Sequence, residues 1–558
     1  MNRTDLLQGL RDSPDGWDMI VVGGGATGVG IAIDAASRGY SVALLEQSDF
    51  GKATSSRSTK LVHGGVRYLQ QGNVPLVMEA LKERGILRAN APHLVSDLPF
   101  VVPNYKWWEA PFYGIGMRVY DVLAGRYGFG SSKNLSVEET VERIPTIETD
   151  GLRGGVVYHD GQFDDARLLI DMVATAVDQG AVPVNYCRVT ELLRNEDGFV
   201  EGVTALDLEA GGDVEASTDG TTGRDGSAEL ELRGKVVINA TGIFADELRR
   251  MDDPDAPPIM RPSQGVHIVL DRDFLPGDSA IMVPKTDDGR VLFAIPWHDR
   301  VIVGTTDTPV EGPSLEPLPM EEEVEFLLEH TARYLTRDPR RDDVRSVFAG
   351  IRPLVGEVAA MGSEDDESVG SGKPRDTAEI SREHQIRVSD SGLVTIAGGK
   401  WTTYRKMAEE VVDHASTLAG LEPRECVTED LNIHGFHEHA ERFGEYALYG
   451  SAAADLTALM NEEPELEERV HPQLEVRAGQ VVWAVRNEMA RTVDDVLARR
   501  TRALLLDARA AYEAAPKVAE ILARERAAAE GWPDGRAEAW VAEQVEEFQE
   551  IASGYILS

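Results

Sequence analysis

One stretch near the start constrains the fold more than any other. Residues 18–46 read DMIVVGGGATGVGIAIDAASRGYSVALLE. The apolar run at 18–22 fits a buried parallel strand. A helical pattern follows over 26–38 and closes at Gly39, the residue type that best ends a helix. The run at 41–46 is a second strand, so the whole is a right-handed β-α-β crossover of about 30 residues. Gly23, Gly25 and Gly28 stand between strand and helix as G-x-G-x-x-G. Gly23 permits the tight turn, Gly25 lets the backbone approach a pyrophosphate, and Gly28 lets helix and strand pack closely. Ala26 and Thr27 open the helix, whose free N–H groups attract negative charge. Glu46 and Gln47 end the second strand, where a carboxylate binds ribose hydroxyls. The motif predicts a dinucleotide; it does not separate FAD from NAD.

At 558 residues the chain exceeds one compact core, and two to four structural units are expected. Acidic residues number 96 against 56 basic ones, a formal net charge of −40. Nucleic acid is excluded as a partner, because binding by counterion release needs clustered Lys and Arg. An anionic membrane surface is discouraged for the same reason. The surplus reads as a solvating shell, of the kind carried by halophile proteins in salt-rich cytoplasm. A small anionic substrate then requires a local basic pocket. Cys187 and Cys426 cannot build a disulfide framework or a cysteine-ligated cluster, and no metal site is expected. The first 17 residues form a polar leader without an apolar signal region, and no run of ~18 apolar residues occurs. A cytoplasmic protein is expected, with peripheral contact to the inner face of the cell membrane left open.

Residues 73–91 read as a helix with Val77, Leu81, Ile86 and Leu87 on one face. The most aromatic stretch follows at 105–123, YKWWEAPFYGIGMRVYDVL, and reads first as core or cap packing, second as an exposed contact patch. Residues 184–240 are strand-like around a polar tract, and 362–377 is a second such tract; both read as insertions without chemistry. VHIVL, VLFAIPW and VIVGTTD, within 266–306, suggest an antiparallel second sheet. After about 430 the pattern turns helical, with Thr492 and Asp495 resembling a capping box. The expected fold is α/β. A discontinuous Rossmann-like domain takes 18–105, 150–255 and 345–428, an antiparallel-sheet substrate domain takes 106–149 and 256–344, and a helical domain takes 429–558.

Several segments carry chemistry. GKATSSRSTKLVHGGVRYLQ (51–70) combines Ser55, Ser56, Ser58 and Lys60 with His63, Gly64 and Gly65, small or exposed groups suited to close approach by a large flat cofactor. With the glycine motif ahead of it, this stretch resembles the FAD-dependent glycerol-3-phosphate dehydrogenase family, within the D-amino-acid-oxidase-like flavoproteins. The resemblance spans about 18–425. It implies FAD as cofactor, with Val189 and the Ala240-Thr241-Gly242 turn (VVINATG) returning beneath it. Gly399, Lys400, Thr402 and Thr403 in GGKWTTYR would sit where a helix N-terminus steadies the reduced flavin.

The resemblance further implies an active-site role for His267. Arg352 (GIRPL) and Arg382 (ISREH) would hold the substrate phosphate as paired guanidinium groups. Arg67, Tyr68 and Lys400 complete the basic pocket. The implied reaction is oxidation of sn-glycerol 3-phosphate to dihydroxyacetone phosphate, with hydride passing from C2 to flavin N5. His267 is the preferred base, since an unperturbed imidazole suits neutral pH, whereas Lys400 would need a strongly lowered pKa. Electrons would leave to quinone or to partner subunits, the chain having no cysteine-rich module. Homo- or hetero-oligomerisation stays open. Rival readings are an oxygen-using glycerol-3-phosphate oxidase, an amino-acid oxidase and a flavin-binding sensor without turnover. The family pattern is departed from at the two polar tracts and at Gln264.

Overall fold

A computed structural model describes residues 1–13, 15–66, 69, 72–210, 229–286, 289–356 and 383–557. Both polar tracts expected as insertions fall mainly or wholly outside these residues, as do Arg67, Tyr68 and Arg382. The chain begins with helix α1 (Arg3–Arg11), capped by the Asn2 side chain. Strand β1 (Met19–Val22), helix α2 (Ala26–Ser37) and strand β2 (Val42–Leu45) then realise the expected crossover, with Gly39 at φ +83°.

The leader expected over 1–17 is part of the fold. Leu7, Leu10 and Trp17 are buried, and Arg3 reaches Asp207 Oδ1 at 2.6 Å in a buried ion pair. Polar composition alone hid the apolar side of a short amphipathic helix.

β1 lies inside a six-stranded sheet, ordered Gln385–Val388, Val394–Ala397, Val237–Asn239, β1, β2, Val182–Val184. All neighbours are parallel except the antiparallel edge strand Gln385–Val388. All four residues of β1 and of β2 are buried, which is why both read as continuous apolar runs. Helices α2, Asp165–Asp178 and Tyr404–Leu418 share one core with this sheet.

A ten-stranded sheet forms the second layer, its central strands Ser263–Asp271, Arg300–Gly304, Leu292–Trp297 and Ala280–Val283 running as the sequence suggests. Its composition corrects the domain boundaries. Leu61–Val62, Val95–Pro103, Gly155–Phe163 and Val344–Arg352 belong to this sheet, although the first three, and the fourth from residue 345 on, lie in segments assigned to the nucleotide-binding domain. Long-range pairing decided them, and apolar periodicity carries no information about pairing partners.

The region after Thr428 is helical, and its core is shared with Val269, Trp297, Ile302 and Phe348 of the ten-stranded sheet. Thr492 and Asp495 do form reciprocal bonds: Asp495 N donates to Thr492 Oγ1 (3.1 Å) and Thr492 N to Asp495 Oδ2 (3.2 Å). The turn they open, Asp495–Arg500, is π-helical. The aromatic stretch at 105–123 differs from its first reading. Helix Glu109–Ala124 buries Met117 and Tyr120 but exposes Phe112, Ile115, Val119 and Val122, beside exposed Trp107 and Trp108.

Candidate active site

The glycine motif shapes one wall of a long trough. A Cβ on Gly28 would lie 1.9 Å from the Gly23 carbonyl oxygen, and one on Gly23 would lie 2.6 Å from that of Ala240. Gly25 differs, because a Cβ there would meet only the Ser55 hydroxyl at 3.1 Å. Gly28 therefore serves packing, while Gly25 faces space that a ligand can enter. Ser55 Oγ accepts the Ala26 N–H at 3.0 Å. Glu46 is half-buried, and its carboxylate accepts from Gly24 N (2.7 Å) and Ser48 N (2.8 Å). Burial raises its pKa, against the pull of those two bonds.

Three cavities follow one another. The first, about 150 Å³, is lined by Gly23, Gly25, Glu46, Gln47, Val189 and Thr241 among others. A second of about 120 Å³ adds Ala26 and Thr27, and shares Gly25, Ser55, Ala240 and Gly242 with the first. A third of about 210 Å³ shares Gly399, Lys400 and Trp401 with the second and adds His63, His267 and Arg352. Thr402 and Ser58 also line the third. The trough thus runs from the motif that selects a dinucleotide to the residues expected to handle substrate. Its lining fits a long dinucleotide: Gly23, Gly25, Ala53, Ser55 and Ala240 give backbone and small side chains, larger groups such as Arg188 and Phe244 complete it, and open space stands where a Cβ would on Gly242.

The structure keeps six expected cofactor residues off this lining. Gly28 packs, as described, and Ser56 is buried with its carbonyl accepting from Lys60 Nζ at 2.9 Å. Gly64 and Gly65 are buried, and the Gly64 N–H is taken by the Tyr120 hydroxyl at 2.8 Å. Thr403 turns its N–H to the Lys400 carbonyl (3.1 Å). Lys60 is fully buried, with its ammonium 2.6 Å from Asp165 Oδ2 and over the rings of Trp297 and Phe348. Desolvation, only partly offset by Asp165, pulls its pKa down to about 7. An ion pair this deep cannot also serve a ligand in the trough.

His267 sits on strand Ser263–Asp271, inside the third cavity, with its ring parallel to Phe348 (4.8 Å between centroids, 12°). Its Nε2 lies 2.9 Å from Thr59 Oγ1. The premise of an unperturbed imidazole does not hold. Burial first, then the charges of Lys60 and Arg352, hold the His267 pKa well below its usual 6.5, so the ring is neutral. Arg352 ends strand Val344–Arg352, where antiparallel pairing sets it opposite Ser263. Its guanidinium donates to Thr306 O (2.9 Å) and Asp307 Oδ1 (3.1 Å). Lys400 follows Gly398 and Gly399, both at positive φ, and precedes the turn Trp401–Thr403 that leads into helix Tyr404–Leu418. Sequence reasoning passed over Thr59 and Phe348. Thr59 lies in a motif already singled out; Phe348 carries no local signal, since only strand pairing sets it against His267.

Residues 18–405 match the family model of FAD dependent oxidoreductases, and 394–532 match the C-terminal domain of alpha-glycerophosphate oxidase. A glycerol-3-phosphate dehydrogenase from Bacillus halodurans, solved complexed with FAD, matches with a TM-score of 0.74 at 27% identity, over 100% of this chain and 98% of that one. Fold and site define an FAD-dependent oxidoreductase. The mitochondrial glycerol-3-phosphate dehydrogenase of Mus musculus is 39% identical over 558 residues, 94% of this chain and 72% of that protein. Its counterpart in Schizosaccharomyces pombe is 36% identical over 593 residues, 96% of this chain and 87% of that protein. The chain belongs to the glycerol-3-phosphate dehydrogenase family.

Proposed function

We propose that the chain oxidises sn-glycerol 3-phosphate at C2 to dihydroxyacetone phosphate and delivers the electrons to a quinone. The observation that carries this reading is the meeting of His267, Arg352 and Lys400 in the cavity that continues the dinucleotide trough. Gly23, Gly25, Ala26 and Thr27 would hold the FAD phosphates, Glu46 and Gln47 its ribose, and Gly399 and Thr402 its far end. FAD, when bound, would supply the two-electron acceptor for the C2 hydrogen.

The chain's own groups do the rest. Arg352 offers a fixed guanidinium fork for the substrate phosphate, with Arg67, Tyr68 and Arg382 in the same role and Lys400 beside it. His267 Nε2, 2.9 Å from Thr59 Oγ1, is the ring atom that takes the proton of the C2 hydroxyl. A phosphate dianion on Arg352 offsets one of the charges that depress His267, so substrate binding itself strengthens the base. Phe348 beneath the ring fixes its plane.

A quinone is an apolar acceptor, and the exposed face of helix Glu109–Ala124 supports contact with the membrane surface where such acceptors reside. Trp107, Ile115 and Val122 are 79%, 66% and 80% exposed there. Among the described residues no helix is long and apolar enough to cross a membrane. The test is turnover of glycerol 3-phosphate with a soluble quinone analogue, under air and under argon. The expected result is one dihydroxyacetone phosphate per quinone reduced in both atmospheres. Peroxide formed in step with substrate under air, with no quinone reduction, would make the chain an oxidase instead.

A further inference from the structure

The loop at 49–57, DFGKATSSR, lines the trough at both ends. Gly51, Lys52, Ala53, Thr54 and Ser55 bound the first cavity, and Thr54 and Arg57 bound the third. Its only regular element is the three-residue turn Thr54–Ser56. Phe50 is buried, Gly51 N donates to Gly24 O at 3.1 Å, Thr54 Oγ1 to Ile351 O at 2.7 Å, and Ser55 O accepts from Trp401 Nε1 at 2.8 Å. Such a segment loses its conformational freedom only if something outside it fixes it.

The loop is also gripped by residues more than 430 positions later, at Asp49 and Ser56 and at the lining residues Lys52 and Arg57. Asp49 is fully buried and receives Arg500 Nη1 at 2.6 Å and Nη2 at 2.8 Å, with Arg499 beside it. Lys52 Nζ is 2.7 Å from Asp494 Oδ2. The Ser56 carbonyl accepts from Arg502 Nη2 at 2.9 Å. Arg57 donates to the Tyr555 hydroxyl at 2.6 Å, and that hydroxyl donates to Glu316 at 3.0 Å. The C-terminal helices themselves contribute none of the described residues lining the three cavities.

We infer that the C-terminal helical region acts as a clamp that positions the cofactor-binding loop, with Asp494, Arg499, Arg500, Arg502 and Tyr555 as positioning residues for FAD. The π-helical turn Asp495–Arg500 bears on this assignment. The wider turn sets Arg499 and Arg500 both against Asp49, while Asp494, just before the turn, serves Lys52. Charged groups suit the task because buried ion pairs hold one geometry and tolerate few others. The inference rests on FAD binding alone and is independent of which substrate the third cavity takes.

Two conservative variants test it. Tyr555→Phe keeps the ring and removes only the hydroxyl that accepts from Arg57 Nη1 and donates to Glu316, while Arg57 Nη2 keeps its own 2.6 Å bond to Glu316. Asp494→Asn keeps the shape and removes the charge opposite Lys52. The measurements on each holoenzyme are the rate at which FAD fluorescence appears after dilution and the far-ultraviolet circular dichroism melting of the FAD-stripped full chain. The expected result is FAD release faster by about tenfold, the size of one lost hydrogen bond to a charged group, and faster than any fall in the melting midpoint of the stripped chain accounts for. Release at the parent rate in both variants would overturn the inference. So would faster release accompanied by a matching fall in the midpoint, because that would make these residues supports of the fold rather than of the loop. If Asp494→Asn fails to fold, Tyr555→Phe decides alone.

Discussion

Replacing Gly28 and Gly25 separately by Ala should split two roles that the motif combines. At Gly28 the added methyl would lie 1.9 Å from the Gly23 carbonyl oxygen and 3.4 Å from Ala240 Cβ. Real Cβ atoms do not come nearer than 3.0 Å to such a neighbour, so α2 or the glycine turn must move by about 1.1 Å. The obstacle is backbone and cannot rotate away, so the overpacking costs ~1–3 kcal/mol. Because Ala240 lines the trough, the shift also disturbs FAD. At Gly25 the methyl meets only the Ser55 hydroxyl at 3.1 Å, which a shift of a few tenths of an ångström relieves without breaking the Ser55 bond to Ala26 N. The fold is then kept, but the backbone can no longer approach a phosphate, which weakens FAD about 10- to 100-fold, or ~1.5–3 kcal/mol. The assay is FAD content after purification, from the ratio of flavin to protein absorbance, together with thermal unfolding of each chain stripped of FAD. Gly28→Ala should lower both. Gly25→Ala should lower FAD content alone. Equal effects on stripped-chain stability would refute the separation of roles, and full FAD content in Gly25→Ala would refute the approach of phosphate at that residue.

Two further outcomes follow from the third cavity. Arg352→Lys keeps the charge but loses the fork, so KM for glycerol 3-phosphate should rise about 10- to 100-fold, ~1.5–3 kcal/mol, with FAD content unchanged; a fall in kcat with KM constant would contradict a phosphate role. His267 is held below 6.5 by burial and then by Lys60 and Arg352. The unfolded imidazole takes up a proton below pH 6.5 that the folded one refuses, so its contribution is complete above 6.5. It is lost by about 1.4 kcal/mol per pH unit below that, down to the folded pKa. Urea midpoints at pH 7 and pH 5.5 should therefore converge toward those of His267→Asn as pH falls, and a constant gap would show that the folded ring titrates normally.

What the sequence made legible was local. The run 18–46 contains its own strand, turn and helix, and each glycine there occupies the place its spacing implies. The antiparallel strands between 263 and 304 and the helical end were legible for the same reason. What escaped depends on partners distant in the chain. Val95–Pro103 pairs with Gly155–Phe163 and Ala280–Val283, and nothing in its own nine residues announces the second sheet. Lys60 looked like a ligand-binding cation because it follows a run of hydroxyls; Asp165, 105 residues later, takes its charge. The proton affinity of His267 was equally out of reach, since it is set by burial and by two cations on other segments. Asp49 and Arg500 stand 451 residues apart, and only the fold brings them together.

The central claim is that this cavity oxidises glycerol 3-phosphate with His267 as the base. Its most direct test is anaerobic rapid mixing of the FAD-loaded chain with sn-glycerol 3-phosphate, followed by flavin absorbance, for the parent and for His267→Asn. Complete bleaching is expected in the parent, with one dihydroxyacetone phosphate formed per flavin, and bleaching slower by about 10²- to 10⁴-fold in the variant. Bleaching at equal rates in the two proteins would remove His267 from the chemistry, and no bleaching in the parent would contradict the account as a whole.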